Sequence, residues 1–208
     1  MSNSHNEYEV FNALLEKFLS IPKTNSNPTF MEICQMGGDR FEERCSQILR
    51  FFLTPNAAHG LRGLFLSSLL EVVAREDLSF SLNGTKVITE EATEDRKFID
   101  ITVVADDFVI AIENKIGASL YNPLDSYVSH IKKTYRTQHE HIFVILSARP
   151  ITDAAEIGKM KQNDYHYVNY RTLFDSVKKN LGTYALDADQ AYLTFLFDFI
   201  RTIENRYS

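Results

Sequence analysis

Apolar and polar positions change period along the chain, and those changes mark out its elements. Over residues 7–20, Val10, Phe11, Leu14, Leu15 and Phe18 recur at helical spacing, which predicts an N-terminal helix. The stretch IPKTNSNPTF that follows is rich in Pro, Asn and Ser and reads as a connector. A second helix is predicted over 39–53. It stops at Thr54-Pro55, because the residue before a proline is pushed out of the helical region. After the turn-like PNAAHG, the positions of Leu64, Phe65, Leu69, Leu70 and Val73 predict a third helix over 61–75. From Lys86 the period becomes that of strands, three of them, over 86–92, 97–105 and 108–115. A helix over 123–137 comes next, with Asn122 as its cap and Pro123 at its first position. HIFVILSA is a short apolar run bounded by polar residues, as a buried strand requires, and YHYVNY predicts another strand before a helix over 171–181. Ala191, Leu193, Leu196, Phe197 and Ile200 make 187–206 an amphipathic terminal helix. Helices, three strands, a helix, two strands and helices predict one mixed α/β domain, with its core over 39–170 and a helical extension over 1–30.

Composition narrows the setting. A chain of 208 residues, 44% hydrophobic and 24% charged, can bury a sizeable core and is not a disordered one. No run approaches the ~18 apolar residues of a membrane span. The start, MSNSHNEYEV, lacks the basic-then-apolar order of a secretory signal, and Cys34 and Cys45 form no CxxC pair. A reducing, cytoplasmic setting is the expectation. The formal charge of −6 gives weak long-range attraction to a polyanion, which argues against a general nucleic-acid coat. A nucleic-acid enzyme would need local basic strips, and Lys132-Lys133, Lys178-Lys179 and the stretch 149–161 are the ones available; each also reads simply as solvated surface.

The chemistry concentrates in RKFIDITVVADDFVIAIENKIGA. If Asp106-Asp107 is a two-residue hairpin turn, Ile101 faces Ile112 and Val103 faces Ile110, so one side is aliphatic. The same register puts Asp100 opposite Glu113, with Lys115 two residues further along the same side. Facing carboxylates in otherwise apolar strands destabilise a sheet unless something neutralises them. A divalent cation does so, and Mg²⁺, a hard ion often held by one or two carboxylates, suits the pair. A neighbouring lysine adds the electrostatic stabilisation that phosphodiester hydrolysis needs. The alternative is a solvated hairpin face with an incidental Glu113–Lys115 pair.

These residues also carry a resemblance. Asp100 followed by Glu113-Asn114-Lys115 resembles the PD-(D/E)XK nuclease superfamily, and within it a bacterial group with a "DP…SHGL" turn, then "ID-I" and "IENK". The corresponding segments here are EERCSQILRFFLTPNAAHGLRGLFLSSLL, FIDITVV and AIENKIGA, so the likeness covers 39–148. It implies a restriction-endonuclease-like α-β-β-β-α-β core and cleavage of DNA with Mg²⁺ or Mn²⁺, RNA not being excluded. Asp100 and Glu113 would bind the ion, with the Asn114 backbone carbonyl as an extra ligand, and Lys115 would position the attacking water. It also implies a further acid from the helix before the strands. Glu42 shares a stripe with Cys45, Leu49 and Leu53, unlike Glu43, and is the preferred candidate for catalysis and metal. Where the group has Gln-Leu-x-x-Tyr, this chain has Pro123-Leu124-Asp125-Ser126-Tyr127. Tyr127 matches as a substrate contact, though its spacing equally suits a core aromatic, and Asn122 is the substitute for the missing glutamine. The setting implied is defence against foreign DNA or DNA repair.

Other chemistry is sparse. There is no HExxH, P-loop, GxGxxG or GxSxG, and the six histidines are scattered. His59, before Gly60, reads as a turn residue. Glu90, Glu91, Glu94 and Asp95 read as a solvated strand end, with Glu90 or Glu91 as an alternative route to the cation. The competing function is a catalytically silent module of the same fold that binds nucleic acid or a partner protein. Cutting both strands with one site per chain would favour a homodimer or a larger defence complex, with Tyr192, Phe195, Phe197 and Phe199 as interface candidates.

Overall fold

Strand β3 (Phe108–Lys115) is buried along its whole length, which only a central strand covered on both faces can be. Its neighbours follow from the chain. The Asp106-Asp107 turn returns β2 (Phe98–Val104) antiparallel to it, and β1 (Lys86–Ala92) pairs antiparallel with β2. On the other side β4 (Glu140–Ser147) and then β5 (Tyr165–Asn169) run parallel to β3, so the sheet order repeats the chain order, β1-β2-β3-β4-β5. The computed structural model describes residues 27–38, 40–117 and 123–207. The helix expected over 7–20 and the cap Asn122 lie outside them.

Seven helices accompany the sheet among the described residues: α1 Phe30–Ile33, α2 Phe41–Leu53, α3 Leu64–Val72, α4 Leu124–Thr134, α5 Ala154–Gln162, α6 Tyr170–Tyr184 and α7 Gln190–Tyr207. Parallel neighbours need crossovers, and α4 and α5 supply them for β3–β4 and β4–β5. The two faces of the sheet carry separate cores. On one, Ile101, Val103, Ile110, Ile112 and Val144 pack with α2, α3, α6 and α7 through residues such as Phe52, Phe65, Phe174 and Phe199. On the other, Val109, Ala111 and Ile145 pack with Leu124, Tyr127 and Ile131 of α4 and Met160 of α5. The mixed α/β architecture predicted from the periodicity is therefore present. No helix among the described residues is long and apolar enough to cross a membrane.

Three predictions of elements are corrected. The third helix is shorter than 61–75, because Arg62 and Ala74 both take positive φ and fence it at either end. Helix α5 was not predicted: only Met160 of it is buried, so it has almost no apolar stripe to detect, and Asp153 starts it by accepting from the Ala155 and Glu156 N–H groups. The end of the expected connector starts α1, a single turn with a Thr29–Glu32 capping box that runs on past it to Ile33. Asp198 of α7 reinforces it, accepting from the Phe30 and Met31 N–H groups at 2.8 and 3.1 Å. The aromatics of α7 turn inward: Tyr192 and Phe195 lie against Phe51 and Phe52, and Phe199 is fully buried.

The HGL turn between α2 and α3 has a purely structural logic. His59 is fully buried. Its Nδ1 accepts the Leu61 N–H at 2.9 Å, so Nε2 carries the proton and donates to the Thr54 carbonyl at 3.1 Å. Burial holds its pKa below the usual histidine value, in keeping with a neutral ring. Gly60 follows at φ +69°, where a Cβ would stand 2.4 Å from the Asp187 carbonyl oxygen. Gly60→Ala should therefore cost about 2 kcal/mol or more, combining left-handed strain with a backbone clash. A urea unfolding curve checks this: the midpoint should fall at unchanged slope. An unmoved midpoint would mean that the loop carrying Asp187 gives way freely.

Candidate active site

The hairpin register is the one expected from the turn: Ile101 pairs with Ile112 and Val103 with Ile110, and the Ala105 N–H donates to the Phe108 carbonyl at 2.9 Å. Regular pairing stops at Ile101–Ile112, one step before Asp100 and Glu113. There the Asn114 N–H donates to Asp100 Oδ2 at 2.7 Å, to a carboxylate rather than to the neighbouring backbone. The β1 side is interrupted at the same level. Its ladder skips Glu90, which takes φ +54°, between the pairs Thr89–Ile101 and Glu91–Ile99. Asp100 thus sits where the sheet is open on both sides.

Glu113 is 1% exposed, and Lys115 Nζ lies 2.8 Å from its Oε1. Apart from that Lys115 contact, neither Glu113 oxygen has a hydrogen-bond donor among the described residues. Lys115 is shared. Its Nζ also donates to Glu42 Oε1 at 3.3 Å, while Glu42 Oε2 accepts the Ile116 N–H at 2.8 Å. Helix α2 therefore delivers Glu42 to the end of β3, half-buried, whereas Glu43 one position on is exposed. Asn114 fixes that delivery. Fully buried, its Nδ2 donates to the Glu42 carbonyl at 3.2 Å and to Ser46 Oγ at 2.9 Å, and its Oδ1 accepts from the Tyr170 hydroxyl at 2.7 Å. One side chain thus ties α2 and α6 to the central strand.

The electrostatics are those of three carboxylates around one ammonium. Burial, and then the charge of Asp100, push Glu113 up to about 8. Burial raises Asp100 to about 6 against the opposing pull of the Asn114 N–H. Burial pulls Lys115 down, but its contact with Glu113 and the charges of Glu113, Glu42 and Asp100 outweigh it and hold the ammonium above its usual value. Lys115 is comfortable in this arrangement; Glu113 is not.

A profile described as the PD-(D/E)XK nuclease superfamily matches residues 30–197. The chain belongs to that superfamily. Among solved structures, the crystal structure of the small subunit (R.BspD6I2) of the heterodimeric restriction endonuclease R.BspD6I is similar. The likeness is 14% identity over 78% of this chain and 99% of that one, at a TM-score of 0.31. No curated protein matches the sequence. The PD-(D/E)XK assignment supports a nuclease, and the fold that carries it is a mixed five-stranded sheet flanked by helices.

The remaining motif positions of this PD-(D/E)XK chain fall as follows. Tyr127 is 2% exposed and packs in the core beneath α4. Glu90, with Glu42, Glu43, Ser46, Gln47 and Asp100, lines a cleft of about 200 Å³. Glu91 points elsewhere, to His130 Nε2 at 3.1 Å and the Tyr135 hydroxyl at 3.0 Å. Among the described residues no three acids or histidines converge into a ready-made metal cage. The Ser46 and Tyr170 contacts to Asn114 were not foreseen. The one signal for them was the asparagine itself, a polar residue in an otherwise buried apolar strand.

Proposed function

We propose that the chain is a metal-dependent endonuclease that hydrolyses the phosphodiester bonds of DNA. Asp100 and Glu113 would hold the ion, and Lys115 would act at the reacting phosphate. The observation that carries the reading is Glu113: a carboxylate 1% exposed, pressed by the charge of Asp100, whose one cationic partner among the described residues is a Lys115 ammonium shared with Glu42. Three carboxylates around one ammonium are costly unless a further cation uses them. A carboxylate pair is donor set enough for Mg²⁺ or Mn²⁺, which take hard oxygens and fill remaining positions with water and phosphate, the Asn114 carbonyl being a further oxygen beside them. When bound, the ion would polarise the scissile phosphate and lower the pKa of a water.

The chain's own residues supply the rest. Lys115 stays protonated across the working range, so it does not take the proton from the nucleophile. It donates a hydrogen bond to the attacking oxygen and stabilises negative charge on the phosphate. Glu42, fixed by the Ile116 N–H, steadies Lys115 and offers the half-exposed acid that can accept from a water in the cleft. Defence against foreign DNA or DNA repair is the setting we propose for this cleavage. Incubation of supercoiled plasmid with purified protein tests the reading: nicked or linear product is expected with Mg²⁺ or Mn²⁺ and none with EDTA. Failure to cut DNA or RNA with any divalent ion would withdraw the enzyme assignment and leave a non-catalytic binding module.

A further inference from the structure

A chain of net charge −6 with an acidic centre still has to hold a polyanion, and the structure separates the basic residues that are free to do so from those that are not. Lys178 pairs with Glu204 at 2.6 Å and with Asp175 at 3.7 Å, Lys179 pairs with Glu71 at 2.6 Å, and Lys133 pairs with Glu94. Two of the three basic strips visible in the sequence are therefore wholly or partly neutralised. Arg149 and Arg206 are different. The Arg149 guanidinium carbon stands 5.2 Å from the centre of the Tyr207 ring, and that of Arg206 stands 4.4 Å from the centre of the Phe41 ring. Among the described residues neither arginine has a carboxylate within ion-pair distance.

Both lie beside the candidate site. Lys115 pairs with Ser147 across β3 and β4, and its carbonyl accepts the Ala148 N–H at 2.9 Å, so Arg149 is two residues past the partner of Lys115. Its backbone is pinned there, because its carbonyl accepts from Ser147 Oγ at 2.7 Å and from the Tyr167 hydroxyl at 3.2 Å. Phe41, under Arg206, is the residue before Glu42. Tyr207, which carries Arg149, follows Arg206 in the chain and feels the charges of Arg206, Arg149 and Glu42. The two arginines are thus tied to positions that adjoin Glu42 and the end of β3 that carries Lys115.

We infer that Arg149 and Arg206 form a clamp for the phosphates on either side of the one being cut, resting on the nuclease reading proposed above. The chemistry fits. An arginine laid on an aromatic face gives up little rotamer freedom on binding, is weakly hydrated, and carries a planar fork of donors that suits phosphate oxygens. Contacts of this kind position the duplex without reading its sequence. They also place positive charge where the protein's overall charge does not.

The test is the salt dependence of binding to a fluorescent DNA duplex, measured in EDTA so that nothing is cut. Each phosphate contact contributes about 0.9 to the slope of log K against log salt. Arg149→Gln and Arg206→Gln should each lower the slope by about 0.9, and the double variant by about twice that, equally for two duplexes of unrelated sequence. Lys179→Gln should leave it unchanged. Arg206 is half-buried, so Arg206→Lys separates charge from fold: it should keep the slope that Arg206→Gln loses, and an equal loss in both would overturn the phosphate role of Arg206. Wild type that binds and cuts DNA while the glutamine variants keep its slope would overturn the clamp and leave the nuclease reading standing. Wild type that neither binds nor cuts DNA would overturn both.

Discussion

Lys115→Ala is expected to lower the cleavage rate at saturating metal and DNA by about 10²–10³-fold, the loss typical of removing one preorganised donor at a developing charge. Glu113→Gln should lose cleavage at least as severely, since it removes a proposed metal ligand. Their effects on stability should differ in sign. At a pH above about 8, where Glu113 is ionised in wild type, loss of Lys115 leaves the buried carboxylate without a counter-charge, a defect that costs about 3 kcal/mol in the metal-free protein. Glu113→Gln instead removes the charge that burial and Asp100 both oppose, and it leaves Lys115 its second partner, Glu42, at 3.3 Å. Its unfolding midpoint in EDTA should match or exceed that of wild type. Equal destabilisation by both substitutions would show that the Glu113–Lys115 pair is a net stabilising bridge, and the case for a carboxylate awaiting a cation would fail.

The metal-free protein should also lose stability as pH rises from about 7 to about 8.5, by about 1 kcal/mol or about 2–4 °C, and Mg²⁺ should give much of it back. Glu113 titrates at about 8 when folded against an ordinary 4.5, so in this window the folded state binds more protons than the unfolded one and stability falls with pH. Asp100, at about 6, is already ionised in both states, so it adds almost no slope in this window. The other shifted groups are quiet. Glu71, drawn down to about 2 by Lys179, Ser176 and Asn180, gives a stability lost only in acid. His59, lowered by burial, acts below the window, and Cys45, raised by burial to about 12, acts above it. Lys115, held above its usual value, keeps its contribution until pH passes that value. Differential scanning fluorimetry across the window, with EDTA or Mg²⁺, reads the effect. A flat profile in EDTA, or a Mg²⁺ increment that does not grow with pH, would remove Glu113 as the coupled group, and Glu113→Gln should flatten the profile by itself.

Much of this was legible in the sequence because it is local. Two-residue turns set hairpin register, so Asp106-Asp107 and the alternation around it were enough to set the pairs Ile101–Ile112 and Val103–Ile110, which bring Asp100 and Glu113 to the same end of the hairpin. Glu42 could be preferred to Glu43 because a 13-residue amphipathic helix has one inward stripe. What the sequence withheld depends on distant partners or on little burial. Helix α1 is one turn long and is held by Asp198, 168 positions away. Helix α5 buries one residue and shows no period. The Asn114 side chain finds Ser46 and Tyr170 at separations of 68 and 56 residues, and Arg206 reaches Phe41 from the far end of the chain. Such contacts follow from the assembled fold, and no window of sequence contains them.

A sheet whose spatial order repeats its order in the chain has a consequence for how the protein forms. Each strand can be added beside one already in place, with no strand threaded between two others, so loop-closure costs stay modest at every step. The cheapest first step is the two-residue hairpin of β2 and β3, the element that brings Asp100 and Glu113 together. On the proposed reading, the cheapest first step of assembly and the chemistry share one hairpin. If the acids there serve a cation, as proposed, their mutual repulsion also opposes that first pairing, and Glu113→Gln should then speed refolding in EDTA.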